Sequence, residues 1–213
     1  MFEIDSHKVH IRSSSCVSLY PGDGNSELEI IRNADTAMFS AKKSGGNRLQ
    51  FYDESMSNRL HERLNLEAEL HLALSRDEFF MMYQPQVDCI TGETTGFEAL
   101  LRWQNKKLGL VGPYHFVPLL EETGLIYDVG LWVVKEVINF IASGRTGNDA
   151  VALNLSAWKG VDMKFVAFIC NAIAVSGITA GHTEFELTES VLITDFEKME
   201  IFFKELMALG CSF

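Results

Sequence analysis

The chain has 213 residues, 47% of them apolar and 22% charged, which supplies a core and excludes disorder along its whole length. A formal charge of −11 excludes a long nucleic-acid polymer as partner, because phosphate chains are held mainly by clustered Lys and Arg, but leaves room for a small anion held at one site. No basic region followed by an apolar run opens the sequence, and no uncharged apolar stretch reaches the roughly 20 residues of a membrane helix, so a cytoplasmic protein without a membrane segment is expected.

His7 to Ile11 and Cys16 to Tyr20 are short β-prone runs, and Pro21-Gly-Asp-Gly-Asn25 is turn chemistry. Ser26-Glu-Leu-Glu29 fits a capping box, and Leu28, Ile31, Ala34, Met38 and Ala41 recur after it at helical spacing. Gly45-Gly46 stops that helix, and Arg48 to Tyr52 reads as a closing strand. Residues 53–75 lack Gly and Pro and carry a narrow stripe of Met56, Leu60, Leu64, Leu70 and Leu74, which predicts a connecting helix packed on a neighbour.

From Glu78 the pattern changes. Phe79 to Val87 and Thr95 to Trp103 flank Thr91-Gly92 and predict an antiparallel hairpin. Helices follow over Pro113 to Glu122 and Ile126 to Ser143, the second with Ile126, Val129, Val133, Val137, Phe140 and Ile141 on one face. Val151 to Leu155 reads as a buried strand, Met163 to Ser176 as a helix and Thr183 to Leu187 as a strand. Thr194-Asp-Phe-Glu197 is a second capping box, opening a helix that Gly210 ends, and Cys211-Ser-Phe213 starts a further strand. Strands alternating with helices at this spacing indicate a parallel α/β architecture.

Three polar groups sit late in successive strands: Glu98, Asn154 and Glu186. Carboxylate and amide oxygens are hard ligands suited to Mg²⁺ or Mn²⁺, and strand ends of a β/α barrel converge on one face. An isolated strand-end acid is more often solvated than ligating, so position alone leaves the choice open.

The segments Tyr83-Gln-Pro-Gln86, Phe97-Glu-Ala-Leu-Leu-Arg-Trp103, Phe116-Val-Pro-Leu-Leu-Glu-Glu-Thr-Gly-Leu-Ile126, Asn154-Leu-Ser156 and Glu186-Leu-Thr-Glu-Ser190 resemble, in order and spacing over residues 64–213, the motifs of EAL domains. The resemblance implies a barrel phosphodiesterase that hydrolyses cyclic di-GMP to its linear dinucleotide with Mg²⁺ or Mn²⁺. It implies Glu98, Asn154 and Glu186 as metal ligands, Gln84 and Arg102 as dinucleotide contacts, Leu100 on the guanine-binding surface, and Glu189 as the anchor of a loop. Family members continue past the position of Phe213 with two adjacent Asp residues that complete the site. The 213 residues alone are therefore expected to show little or no turnover, and a non-catalytic cyclic di-GMP receptor or interaction remnant is the alternative.

Val17-Ser-Leu-Tyr-Pro21, Ala34-Asp-Thr-Ala-Met38 and Ala41-Lys42 through Asn47 resemble the last third of a GGDEF domain. Lys42 matches a triphosphate-contacting residue, whereas Gly46 and Cys16 depart from the usual basic residue and Gly. The implied organisation is a GGDEF-type remnant over 1–53, a linking helix over 54–75 and, over 76–213, the first half of an EAL-type (β/α) barrel, with a homodimer possible by analogy. An unrelated metal-dependent barrel hydrolase would require the motif order to be chance. Cys16, Cys89, Cys170 and Cys211 form no C-x-x-C pair and read as buried free thiols. His61, His71, His115 and His182 show no metal-ligand spacing, and Trp103, Trp132 and Trp158 read as core or interface residues.

Overall fold

The computed structural model describes residues 2–4, 7–9, 12–154, 163–186 and 196–213, arranged as two compact units, Met1–Leu66 and Glu67–Phe213. In the first unit, β1 (Phe2–Ile4) and β2 (His7–Val9) form an antiparallel pair, and β3 (Ser15–Val17) lies parallel to β4 (Leu49–Phe51). The parallel pair requires a crossover, and α1 (Glu27–Lys43) supplies it. The Ser26 hydroxyl accepts from the Glu29 amide at 3.3 Å, while the Glu29 carboxylate reaches one residue further back than a capping box would, to the Asn25 amide at 2.7 Å. Gly45 and Gly46, at φ 95° and 69°, end the helix in a backbone region that side chains rarely enter. The buried face of α1 is Asn33, Thr36, Ala37 and Ala41. Leu28 and Ile31 of the predicted apolar series are 81% and 51% exposed, whereas Ala41 at its other end is buried, so only the C-terminal part of the series faces the core.

Helix α2 (Glu54–Ala73) contributes residues 54–66 to the first unit and 67–73 to the second. Met56 and Leu70 of its stripe are buried, and Leu64 is exposed.

The second unit is built on a five-stranded sheet. Strands β5 (Phe79–Val87) and β6 (Thr94–Asn105) form the predicted hairpin, paired from Phe79↔Trp103 to Val87↔Thr94. Parallel strands β8 (Ala150–Asn154) and β9 (Thr183–Glu186) extend it in the order β5-β6-β8-β9. A three-residue strand that the sequence pattern did not predict, β7 (Gly109–Val111), pairs with the end of β6. Beyond β9, Ser212 bridges Glu184 in parallel sense, with Phe185 N–H donating to the Ser212 carbonyl at 2.9 Å.

Helices α3 (Pro113–Thr123), α4 (Ile126–Ala142), α5 (Met163–Ser176) and α6 (Phe196–Leu209) join these strands. Ala99, Val151, Leu153 and Phe185 from the sheet meet Val137, Ile141, Phe165, Ile169 and Phe202 from the helices in one core. Phe79, Trp103, Phe116 and Trp132 form a second aromatic cluster with centroids about 6 Å apart, in which Trp103 and Phe116 are fully buried. Burying such a side chain contributes about 1.5–3 kcal/mol relative to leaving it in water. Trp158, Glu189 and the capping residue Thr194 lie outside the described residues.

All four cysteines are free, as expected, but only Cys211 is buried; Cys16 and Cys170 are half-buried and Cys89 is exposed on the β5–β6 turn. Burial pushes the Cys211 thiol up to about 11. Among the described residues no helix is long and apolar enough to cross a membrane.

Candidate metal and ligand site

Alternation along the strands assigns every second residue to one face of the sheet. On β5 and β6, Gln84 and Glu98 are direct partners. Glu98 partners Ala152 on β8, and Asn154, two residues on, partners Glu186 on β9. Gln84, Glu98, Leu100, Arg102, Asn154 and Glu186 therefore share one face, and the core residues Ala99, Val151, Leu153 and Phe185 occupy the other. Phe80 and Met82 on the first face are 38% and 49% exposed, which leaves that face open to solvent. The structure places all six described candidate residues on this face, with Glu98, Leu100, Arg102 and Asn154 around one cavity and Gln84 and Glu186 on the outer strands β5 and β9.

Glu186 is the electrostatic centre of the group. Its carboxyl is raised above the usual range by burial first, then by repulsion from Glu98 and Glu184. Two neighbouring carboxylates that raise a third, beside an amide oxygen, form a donor set that a hard cation would relieve. Among the described residues, no three His, Cys, Asp or Glu side chains come close enough together to hold a metal ion by themselves. The hard oxygen donors of Glu98, Asn154 and Glu186 are of the kind that would suit a divalent cation.

A cavity of about 370 Å³ adjoins these residues. Strand β8 pairs with β6 over Gly96–Ala99 and β7 over Trp103–Asn105, so Leu100, Leu101 and Arg102, paired with β5 on one side, have no strand on the other. The cavity opens at this notch, bordered by Glu98, Arg102 and Asn154 and walled by apolar side chains of α3 and α4. An apolar pocket of this size with a few convergent polar groups is the usual form of a small-molecule site. One Arg102 N–H donates to the Leu101 carbonyl at 2.9 Å, which holds the guanidinium at the notch.

Three contributors escaped the sequence reading. Glu184 adds a carboxylate to the same face, and the alternation Glu184-Phe-Glu186 carried that signal. Val129, Gly130 and Val133 wall the cavity, although the α4 face reads as pure core; Gly130, central in the helix, was the available hint. Tyr114 at the mouth carried no signal.

A mixed sheet covered by helices, with carboxylates and an amide on its open face and a ligand-sized pocket at its notch, defines an α/β protein with a candidate small-molecule site. The EAL-domain family model matches residues 67–213, and the chain belongs to that family. The chain is 36% identical, over 98% of its length, to the Pseudomonas aeruginosa protein named bifunctional diguanylate cyclase/cyclic di-GMP phosphodiesterase MucR. It matches the solved Pseudomonas aeruginosa MucR phosphodiesterase in complex with c-di-GMP at TM-score 0.64 and 33% identity, over 69% of this chain and 61% of that one. The S helix-GGDEF-EAL structure of Vibrio cholerae LapD, bound to c-di-GMP, shares the fold at TM-score 0.62 and 16% identity, over 93% of this chain and 47% of that one. The chain spans 31% of MucR's full length. Phosphodiesterases of this family depend on a divalent metal.

Proposed function

We propose that residues 67–213 contribute the strand-end half of a metal-dependent cyclic di-GMP phosphodiesterase site, with Mg²⁺ or Mn²⁺ as the ion. The carrying observation is the register: Asn154 directly opposite Glu186, with Glu98 on the adjoining strand and the same face. In this reading Glu98, Asn154 and Glu186 hold the ion. When bound, it lowers the pKa of a coordinated water and offsets phosphodiester charge. Arg102 pairs with a phosphate oxygen by charge-assisted hydrogen bonds. Gln84 offers an amide to the ligand from the edge strand, Leu100 presents an apolar surface to a guanine, and the cavity excludes water from that base. Glu189 is retained as a loop anchor on the strength of the motif alone.

Support for a GGDEF-type remnant in residues 1–53 comes from the β3-α1-β4 crossover and from the 98% coverage by a relative whose name includes diguanylate cyclase. The partial-barrel reading rests on the consecutive parallel positions of β6, β8, β9 and Ser212. A non-catalytic receptor is the second reading, favoured by the apolar walls of the cavity beside Leu100 and Arg102, which suit binding of a base whether or not turnover follows.

Calorimetric titration with cyclic di-GMP, with and without Mn²⁺ or Mg²⁺, tests the site. Metal-dependent binding that Glu98→Ala removes is expected, with little or no linear product by chromatography. Absence of metal-dependent binding by the folded chain would overturn the reading. Turnover lost in Glu98→Ala would extend it to full catalysis, and binding without any turnover favours the receptor. Molar mass in solution tests the homodimer that the resemblance implies.

A further inference from the structure

Tyr114 stands in the first turn of α3, one residue after the Pro113 that opens the helix. Its side chain is 88% exposed, an unusual setting for an aromatic ring, and its ring contact is an edge-on meeting with His115 at 5.6 Å. A ring so little packed adds almost nothing to the fold. Yet Tyr114 borders the same cavity as Leu100 and Arg102, which approach it from β6. The mouth thus has an apolar and cationic wall on the strand side and a free aromatic face on the helix side.

A flat heteroaromatic ring entering between them would be covered on both faces, and the exposed tyrosine would lose its contact with water. Aromatic side chains stack on nucleobases with little sequence preference, because every base presents a π-face. A guanidinium adds attraction toward the same electron-rich rings. We propose that Tyr114 is a base-stacking residue that closes over one purine of a bound dinucleotide at the mouth of this cavity. The inference rests on the cyclic di-GMP reading above and adds to it a ligand-contacting residue that the metal and phosphate contacts do not require.

The test compares wild type, Y114A, Y114F and Y114W of the full chain in titrations with cyclic di-GMP and Mn²⁺. Y114A should bind about tenfold more weakly, the scale of one lost stacking contact, while Y114F stays within about twofold. Thermal unfolding midpoints should coincide, since so exposed a ring adds nothing to stability. In Y114W, ligand should quench emission beyond the change seen in wild type, a signature that a purely structural role would not produce. Wild-type binding with Y114A unchanged would overturn the stacking role and leave the metal site standing. No binding by wild type would overturn both.

Discussion

Asn105 is the position where a single side chain should matter most for stability of the second unit. It is 1% exposed and makes four hydrogen bonds. Its carbonyl oxygen accepts from the Lys107 and Leu108 amides, both at 2.9 Å, which shapes the β6–β7 turn. Its amide nitrogen donates to the Glu78 carboxylate at 3.0 Å and to Glu69 at 3.2 Å. Two amide donors on one side and two carboxylates on the other fix which atom is oxygen. Glu78 is itself buried and has one further partner, the Trp103 indole N–H at 3.0 Å; its second oxygen has none. Asn105→Ala would leave that carboxylate with one bond, a loss of about 1–3 kcal/mol. The two turn amides can rehydrate, at about 0.5–1 kcal/mol each. Glu69 keeps Lys107 and Arg76 and adds little to the sum. The expected loss is about 3 kcal/mol, read from urea unfolding followed by tryptophan fluorescence, since all three tryptophans lie in the second unit. Asn105→Asp separates the roles: it keeps the turn acceptor but turns a third carboxylate toward those of Glu78 and Glu69. At neutral pH it should be at least as damaging as the alanine and recover on acidification. Asn105→Asp within about 0.5 kcal/mol of wild type would refute the network argument, because only the turn would then matter.

Glu69 is held down at about 2 by hydrogen bonds from Lys107 and Asn105, against an ordinary value of 4.5. A depressed carboxyl stabilises above its unfolded value, so the advantage of wild type over Glu69→Gln should be constant above about pH 5 and shrink as pH falls from 4.5 toward 2, in urea midpoints measured across pH. Phe165 is fully buried in the main core, and Phe165→Ala should cost about 3–5 kcal/mol in the same unfolding assay. A Cβ at Gly96 would lie 3.0 Å from the Gln86 side-chain oxygen and 3.2 Å from the Ala150 carbonyl. The glutamine can move aside, but the carbonyl belongs to β8, so Gly96→Ala should lower stability by about 1 kcal/mol; a gain would show that β8 gives way.

What was readable in the sequence was whatever periodicity or turn chemistry decides locally. Helix α5 runs over Met163–Ser176 as predicted, because Phe165, Ile169 and Ile173 sit at helical spacing and face the core. The β5–β6 hairpin follows from its two apolar runs and Thr91-Gly92, where Gly92 adopts φ 73°. Strand β7 was not readable: three residues after a lysine pair have no period, and the Asn105 side chain, anchored on distant Glu78, creates the turn. For α1, spacing named an apolar face but not whether anything covers it, and Leu28 and Ile31 stay in water. The same division holds at the site. Glu98, Asn154 and Glu186 stood out by their places late in successive strands, and the family resemblance added Gln84, Leu100 and Arg102. The cavity and Tyr114 depend on which stretch of β6 is unpaired on the edge away from β5, a fact of pairing between segments far apart in the chain.

Register is what links the core to the proposed chemistry. A one-residue slip of β8 would turn Asn154 toward the helices and Val151 and Leu153 toward the open face. Val151 and Leu153 are 0% and 1% exposed, so the slip would bring two fully buried aliphatic side chains into water at about 1.5–3 kcal/mol each. It would also drive a polar amide into the space beside Phe165 and Ile169, where nothing in that core would satisfy it. The packing of two apolar residues therefore aims the amide between Glu98 and Glu186. The donors need no mutual attraction to be held together, which is consistent with the raised carboxyl of Glu186: the core holds in place a group of carboxylates that repel one another. In the proposed reading a bound cation would relieve that repulsion, while the β8 and β9 side chains on the far face of the sheet keep the carboxylates in place without it.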